Sequence, residues 1–168
     1  MGSLTLDIAV LDHGQLCFST ERIIVHKVVY DKFVAILSTI FSRLPDMGNA
    51  VTKQAADHAY DVLKDARDKG AEFLVGGLEY LTETSLKPTL VTNVSRDARI
   101  FDEETFGPSA TVYIAEDDDD AVAKANDSAY GLNAAVHSKS WEHAYQVAKQ
   151  IECGQVHINN MTCTDSGE

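Results

Sequence analysis

The sequence predicts an α/β fold: a single three-layer domain with a largely parallel sheet flanked by helices. Three observations carry this expectation. Short apolar or β-branched runs alternate with longer segments whose apolar residues recur at helical spacing. The helical segments, roughly 10–17 residues each, are long enough to carry the chain from one parallel strand to the next. Glycines and prolines stand at the junctions, as at Pro45, Gly70, Gly76 and Gly77.

The elements follow in order. Arg22 to Val29 is mostly β-branched or apolar and reads as a buried strand. Tyr30 to Leu44 reads as a helix, with Phe33, Ile36, Leu37, Ile40, Phe41 and Leu44 on one side and Pro45 as its stop. After a connector through Met47 to Asn49, Thr52 can cap a helix over Lys53 to Lys69. Ala56, Ala59, Tyr60, Leu63 and Ala66 share one of its faces. Gly70 sits where a helix C-terminal glycine belongs. Ala71 to Val75, Pro88 to Val94 and Ala110 to Ala115 read as strands, with a loop over Thr82 to Lys87. Asp118 to Ala129 reads as a helix, Leu132 to Ser138 as a strand, Ser140 to Ile151 as a helix and Gln155 to Asn159 as a last strand. The domain is expected over residues 13–160, between a weakly patterned segment 1–12 and a polar tail 161–168. With four helices to cover two faces of a sheet, exposed faces are expected to favour a homo-oligomer.

Composition narrows the function classes. The 168 residues carry a net charge of −12, which repels phosphate backbones and anionic lipid surfaces, so neither nucleic acid nor membrane is an expected partner. No apolar stretch approaches the ~20 residues of a membrane span. The first ten residues lack a basic secretory n-region, so a cytoplasmic location is the default expectation. The acidic run Glu116 to Asp120 reads as a solvated turn and helix start, where carboxylates favour the helix dipole. The three cysteines, Cys17, Cys153 and Cys163, form neither a disulfide framework nor a zinc-ligand spacing, and no metal site is expected.

Read singly, the chemically capable residues have bland explanations beside functional ones. Cys17, after the Gly14 turn, could be a small buried core residue. Glu103 and Glu104 could be an exposed acidic pair, and Phe106 plain core. Asn126 and Asn159 suit backbone groups at element ends. His13, four residues before Cys17, could raise the thiolate character of that cysteine.

The same residues read together carry a resemblance. Gly14-Gln15-Leu16-Cys17, Arg22-Ile23-Ile24-Val25 and Tyr30-Asp31-Lys32-Phe33 come first. Lys69-Gly70-Ala71-Glu72 with Gly76-Gly77 and Lys87-Pro88-Thr89-Leu90 follow. Then come Glu103-Glu104-Thr105-Phe106-Gly107-Pro108, Ala125-Asn126-Asp127 with Tyr130-Gly131-Leu132, and Gly154-Gln155-Val156-His157-Ile158-Asn159. In this order the set resembles the catalytic domain of the aldehyde dehydrogenase family, and Val156 to Thr162 is similar to its vanillin and salicylaldehyde branch. The resemblance implies that Cys17 is the nucleophile, that Glu104 binds the nicotinamide ribose hydroxyls of NAD and that Phe106 lies beside the nicotinamide. It implies a small-molecule aldehyde or related carbonyl compound as substrate.

The sequence departs from the family in lacking a Gly-x-Gly-x-x-Gly fingerprint or other glycine-rich phosphate loop before Cys17. It also ends before the family's Pro-Phe-Gly-Gly segment. The family's general base, oxyanion asparagine and cofactor lysine are expected to lie outside this sequence, which makes NAD-coupled oxidation by this chain alone doubtful. Two alternatives accompany the aldehyde oxidation reading. One is a truncated, repurposed non-redox enzyme, such as a cyclase, isomerase or addition catalyst in a biosynthetic pathway. The other is a non-catalytic partner of an intact dehydrogenase.

Overall fold

A four-stranded sheet, in the spatial order β1 (Arg22–His26), β4 (Ser109–Ala115), β3 (Thr89–Thr92) and β2 (Glu72–Val75), forms the centre of the computed structural model, which describes residues 10–163. Residues 1–9 of the N-terminal segment and 164–168 of the tail lie outside the described residues. Strands β1, β3 and β4 run parallel, whereas β2 pairs with β3 in the antiparallel sense. Strands β5 (Asn133–Val136) and β6 (Gln155–Ile158) form a separate parallel pair. The layered α/β class holds, but the strands divide between two sheets where the sequence pattern suggested one.

Alternation along β3 explains the layers. Leu90 packs with Val25, Ala110 and Val112 against Leu37 and Phe41 of α1 (Lys27–Phe41). The next residue, Val91, points to the opposite face and packs with Val62, Leu63 and Ala66 of α2 (Lys53–Asp68), together with Ala98 and Ile100. Both Leu90 and Val91 are fully buried, which is how a central strand covered on both faces behaves. Helix α3 (Asp118–Asn126) packs against β1 and β4, and α4 (Trp141–Ala148) packs on the β5–β6 pair.

The caps follow the sequence closely. The Thr52 hydroxyl accepts the Ala55 N–H at 3.1 Å at the start of α2, and Gly70 follows its end with φ 88°. The acidic run is a capping arrangement: Asp117 accepts the Asp120 N–H at 2.9 Å, and the Asp120 carboxylate accepts the Glu116 N–H at 2.8 Å.

Several element ends fall up to three residues short of their expected bounds, and one junction changes type. The strand expected over Arg22 to Val29 stops at His26, and the helix expected from Tyr30 begins at Lys27. The His26 imidazole accepts the Val28 N–H at 3.2 Å and caps the helix, while the partner strand β4 ends opposite it at Ala115. Val28 and Val29 are 79% and 52% exposed, so their β-branched run marks a solvent-facing first turn rather than a buried strand.

Arg22 ties β1 to the end of α3. Its guanidinium donates to the carbonyls of Lys124 and Asp127, both at 2.9 Å, and lies 5.3 Å from the ring centres of Phe101 and Tyr113. A cation at a helix C-terminus meets the negative end of the dipole, so this contact fixes where the helix stops. No described helix is long and apolar enough to cross a membrane.

Candidate functional site

Cys17 lies exposed in a tight turn closed by the Ser19 N–H donating to the Leu16 carbonyl at 2.8 Å. It stands in a turn before β1, not at the loop-to-helix start that suits an oxyanion-holding N–H. Exposure removes the reading of Cys17 as a buried core thiol.

The residues before it form a rigid frame. Gln15 accepts the Val51 N–H at 3.1 Å and donates to the Asn49 carbonyl at 3.3 Å, so the connector after α1 holds this turn. The His13 N–H donates to the Met47 carbonyl at 2.9 Å. Its imidazole is 1% exposed, and Nε2 accepts the Leu86 N–H at 2.8 Å. That bond leaves the proton of the neutral ring on Nδ1, which has no hydrogen-bond partner among the described residues. Burial pushes the imidazole below its ordinary value, and nearby Asp46 only partly offsets this. A buried, neutral His13 cannot act as the cation that stabilises a thiolate, so the geometry gives it a framing role.

The sign of the pH dependence follows. A depressed histidine contributes stability that is complete above its ordinary value of 6.5 and is lost as pH falls below it, because the unfolded chain then binds the proton more readily. Lowering the pH from about 7.5 to about 5.5 should therefore depress Tm more in the wild type than in His13→Gln. Equal Tm losses in the two proteins would show that His13 is not the group responsible.

Facing this frame is the loop Glu103 to Pro108. A Cβ placed on Gly14 would collide with the Gly107 carbonyl oxygen, so the turn before Cys17 and this loop touch backbone to backbone. Gly107 in turn packs so closely on α2 that its own Cβ would lie 2.5 Å from that of Ala59. The two adjacent glutamates have different surroundings. Glu103 takes a two-pronged bond from Arg99, at 2.7 and 2.6 Å, which holds its carboxyl below the usual carboxylate range. Glu104 is exposed, and its carboxylate makes no hydrogen bond or ion pair among the described residues. Its main chain is fixed instead: the N–H donates to the Tyr130 hydroxyl at 3.4 Å, and His58 Nε2 bonds the carbonyl at 3.1 Å. Phe106 is half-buried and holds φ at 49°, a left-handed conformation uncommon for a bulky residue.

Glu21 joins the two halves, and sequence reasoning missed it. Its carboxylate accepts the Thr105 and Phe106 N–H groups, each at 2.9 Å. Burial pushes this carboxyl up, and the two N–H bonds pull the other way. The segment that follows β6 also reaches the site. Thr162 is buried; its hydroxyl donates to the Phe18 carbonyl at 2.9 Å and lies 3.4 Å from the Thr20 hydroxyl. The two asparagines serve the backbone as expected. Asn126 clamps Gln150 and Glu152, both at 2.9 Å, and Asn159 accepts the Ser138 N–H at 2.9 Å.

The arrangement is an exposed thiol, an unpaired carboxylate on an immobilised backbone and a half-exposed aromatic ring, held together by glycine contacts and the half-buried Glu21 carboxylate. The family model described as the aldehyde dehydrogenase family matches residues 3–168. The chain belongs to the aldehyde dehydrogenase family. It is 37% identical over 169 aligned residues to a salicylaldehyde dehydrogenase of Pseudomonas putida, covering 94% of this chain and 34% of that protein. Among solved structures, a salicylaldehyde dehydrogenase from Pseudomonas putida complexed with salicylaldehyde superposes with a TM-score of 0.87 at 34% identity, covering 96% of this chain and 35% of the other. A succinic semialdehyde dehydrogenase from Streptococcus pyogenes in complex with NADP+ gives a TM-score of 0.89 at 30% identity, covering 98% and 38%. This aldehyde dehydrogenase family chain spans about a third of the length of the curated relatives it matches.

Proposed function

We propose that this chain carries the thiol and the nicotinamide-ribose contacts of an aldehyde-oxidising site, with Cys17 as the nucleophile and Glu104 and Phe106 as the cofactor contacts. The observation that supports it most is the close approach of Gly14 and Gly107, which sets the Cys17 turn beside the Glu104–Phe106 loop. Cys17 sulfur bonds to the aldehyde carbonyl carbon, the C–O double bond becomes single, and the thiol proton passes by way of solvent to the oxygen, leaving a thiohemiacetal. A nicotinamide cofactor, NAD or NADP, would supply the two-electron oxidant for the next stage.

The residues present fit such a group. The Glu104 carboxylate has free oxygens to accept sugar hydroxyls, on a backbone already ordered before binding. The half-exposed Phe106 ring offers a flat apolar surface beside it. The phosphate and adenine ends find no glycine-rich loop in this sequence, so tight binding calls for the portion present in the longer relatives. An aromatic aldehyde is the favoured substrate class, supported by the salicylaldehyde and vanillin dehydrogenases among the relatives.

The test uses the purified chain with salicylaldehyde labelled with carbon-13 at the carbonyl. The expected result is a saturated-carbon signal that disappears when Cys17 is alkylated. In parallel, nicotinamide mononucleotide should shift the amide signals of Glu104 and Phe106. A carbonyl signal unchanged by the protein would count against the thiol reading, and silent loop amides against the cofactor reading.

A further inference from the structure

Glu21 precedes β1 and sits four residues after Cys17. Its main-chain carbonyl accepts both the N–H of Thr111, at 2.8 Å, and the Thr111 hydroxyl, at 2.9 Å. The sheet therefore fixes its backbone, and its side chain projects from a rigid base. Each carboxylate oxygen then takes one N–H from two consecutive residues of a loop 84 and 85 positions away.

Consecutive N–H groups converge on one anion only when the backbone bends into a concave nest, commonly by placing a residue in the left-handed region. Phe106 is that residue, with φ 49°. A bulky aromatic holds such a conformation only where its surroundings over-determine it. Arg99, Tyr130 and His58 restrain the loop at Glu103 and Glu104. Among the described side chains, Glu21 is the one that bonds the N–H groups of Thr105 and Phe106. A glutamine in its place would turn an NH₂ group towards one of those N–H donors, and donor facing donor loses the bond.

We propose that Glu21 is a positioning residue of the candidate site: its carboxylate fills the nest formed by the Thr105 and Phe106 N–H groups and so fixes the Glu104–Phe106 loop beside the Cys17 turn. This rests on the reading of that loop as the nicotinamide contact. Glu21 does not touch the reacting atoms; it acts through the loop.

The test compares wild type, Glu21→Gln and Glu21→Asp by amide exchange and proton shifts, with nicotinamide mononucleotide as the probe. In Glu21→Gln, exchange at Thr105 and Phe106 should quicken about ten-fold or more relative to β1 and β4, and their amide protons should move upfield. The probe's apparent Kd should weaken several-fold, with partial recovery in Glu21→Asp, which keeps both oxygens on a shorter arm. Exchange that quickens equally throughout the domain, with the probe's Kd unchanged, would show a merely structural role and overturn the proposal. Unchanged exchange at the two amides in Glu21→Gln would overturn it too. Should Glu21→Gln fail to fold, the same comparison in Glu21→Asp decides. A wild type blind to the probe, with the two amides freed in Glu21→Gln, overturns the nicotinamide reading while supporting the anchoring by Glu21.

Discussion

Cys17→Ser should lower aldehyde-dependent turnover by roughly 10⁴-fold or more, the scale seen when a covalent nucleophile is removed. The sulfur does what a serine hydroxyl in the same turn cannot, since a thiolate is far more available near neutral pH than an alkoxide. Cys17 is exposed, so the substitution leaves the buried core untouched. Turnover is to be measured in a full-length assembly, either with the nucleotide-binding portion of a relative supplied as a separate chain or within a fused protein. A parallel alkylation experiment should modify Cys17 ahead of the half-buried Cys153 and Cys163. Turnover retained in Cys17→Ser would place the chemistry elsewhere and favour a non-redox role for the scaffold.

Gly14→Ala should cost about 3 kcal/mol, from the left-handed conformation of a residue bearing a Cβ and from overpacking against a neighbour. Gly14 holds φ at 72°, and the atom in the way is the Gly107 carbonyl oxygen, part of a backbone that is itself pressed on Ala59. Neither side has a flexible end that can yield. For a chain of this length the cost corresponds to a fall in Tm of about 6–12 °C. Gly48→Ala is the control. Gly48 has φ 97° but no described atom within 4 Å of the added Cβ, so it carries the backbone strain without the clash and should lose less. Equal losses in the two variants would mean that the close approach has no energetic weight, and the juxtaposition that supports the proposed site would lose its main physical basis. The Gly14→Ala protein should also respond more weakly to nicotinamide mononucleotide, because the loop and the Cys17 turn can no longer meet.

The elements were legible to different degrees. Helix α2 could be read nearly to its ends because its signals are local: Thr52 caps it, its alanines share one face, and Gly70 closes it. The start of α1 was not legible. Val28 and Val29 favour a strand by their β-branching, and what overrules them is the His26 cap and the end of the β4 partner opposite His26. The separation of β5 and β6 from the main sheet was equally hidden, since hydrogen-bond partners between distant strands leave no trace in the hydrophobic pattern of either.

The candidate site divides in the same way. Cys17, Glu104 and Phe106 were readable because each stands in a short motif that resembles a family pattern. The difference between Glu103 and Glu104 was not, because it depends on where the Arg99 side chain points. Glu21 offered no signal: a carboxylate beside a strand is ordinary, and its partners lie more than eighty residues away. His13 gave a misleading one. Its spacing from Cys17 suggested help for the thiol, and burial against Leu86 turned it into a neutral acceptor for a backbone N–H.

The sequence by itself determined the α/β class, the order of helices and strands, most caps and the residue types available for aldehyde chemistry, because these depend on periodicity, local hydrogen bonding and short motifs. Tertiary structure alone decided that Cys17 is exposed, that Glu104 rather than Glu103 keeps a free carboxylate, and that Glu21 reaches across to anchor the loop carrying Phe106. The physical reason is that burial, charge pairing and backbone contact are relations between segments far apart in the chain, and they exist only once packing has brought those segments together.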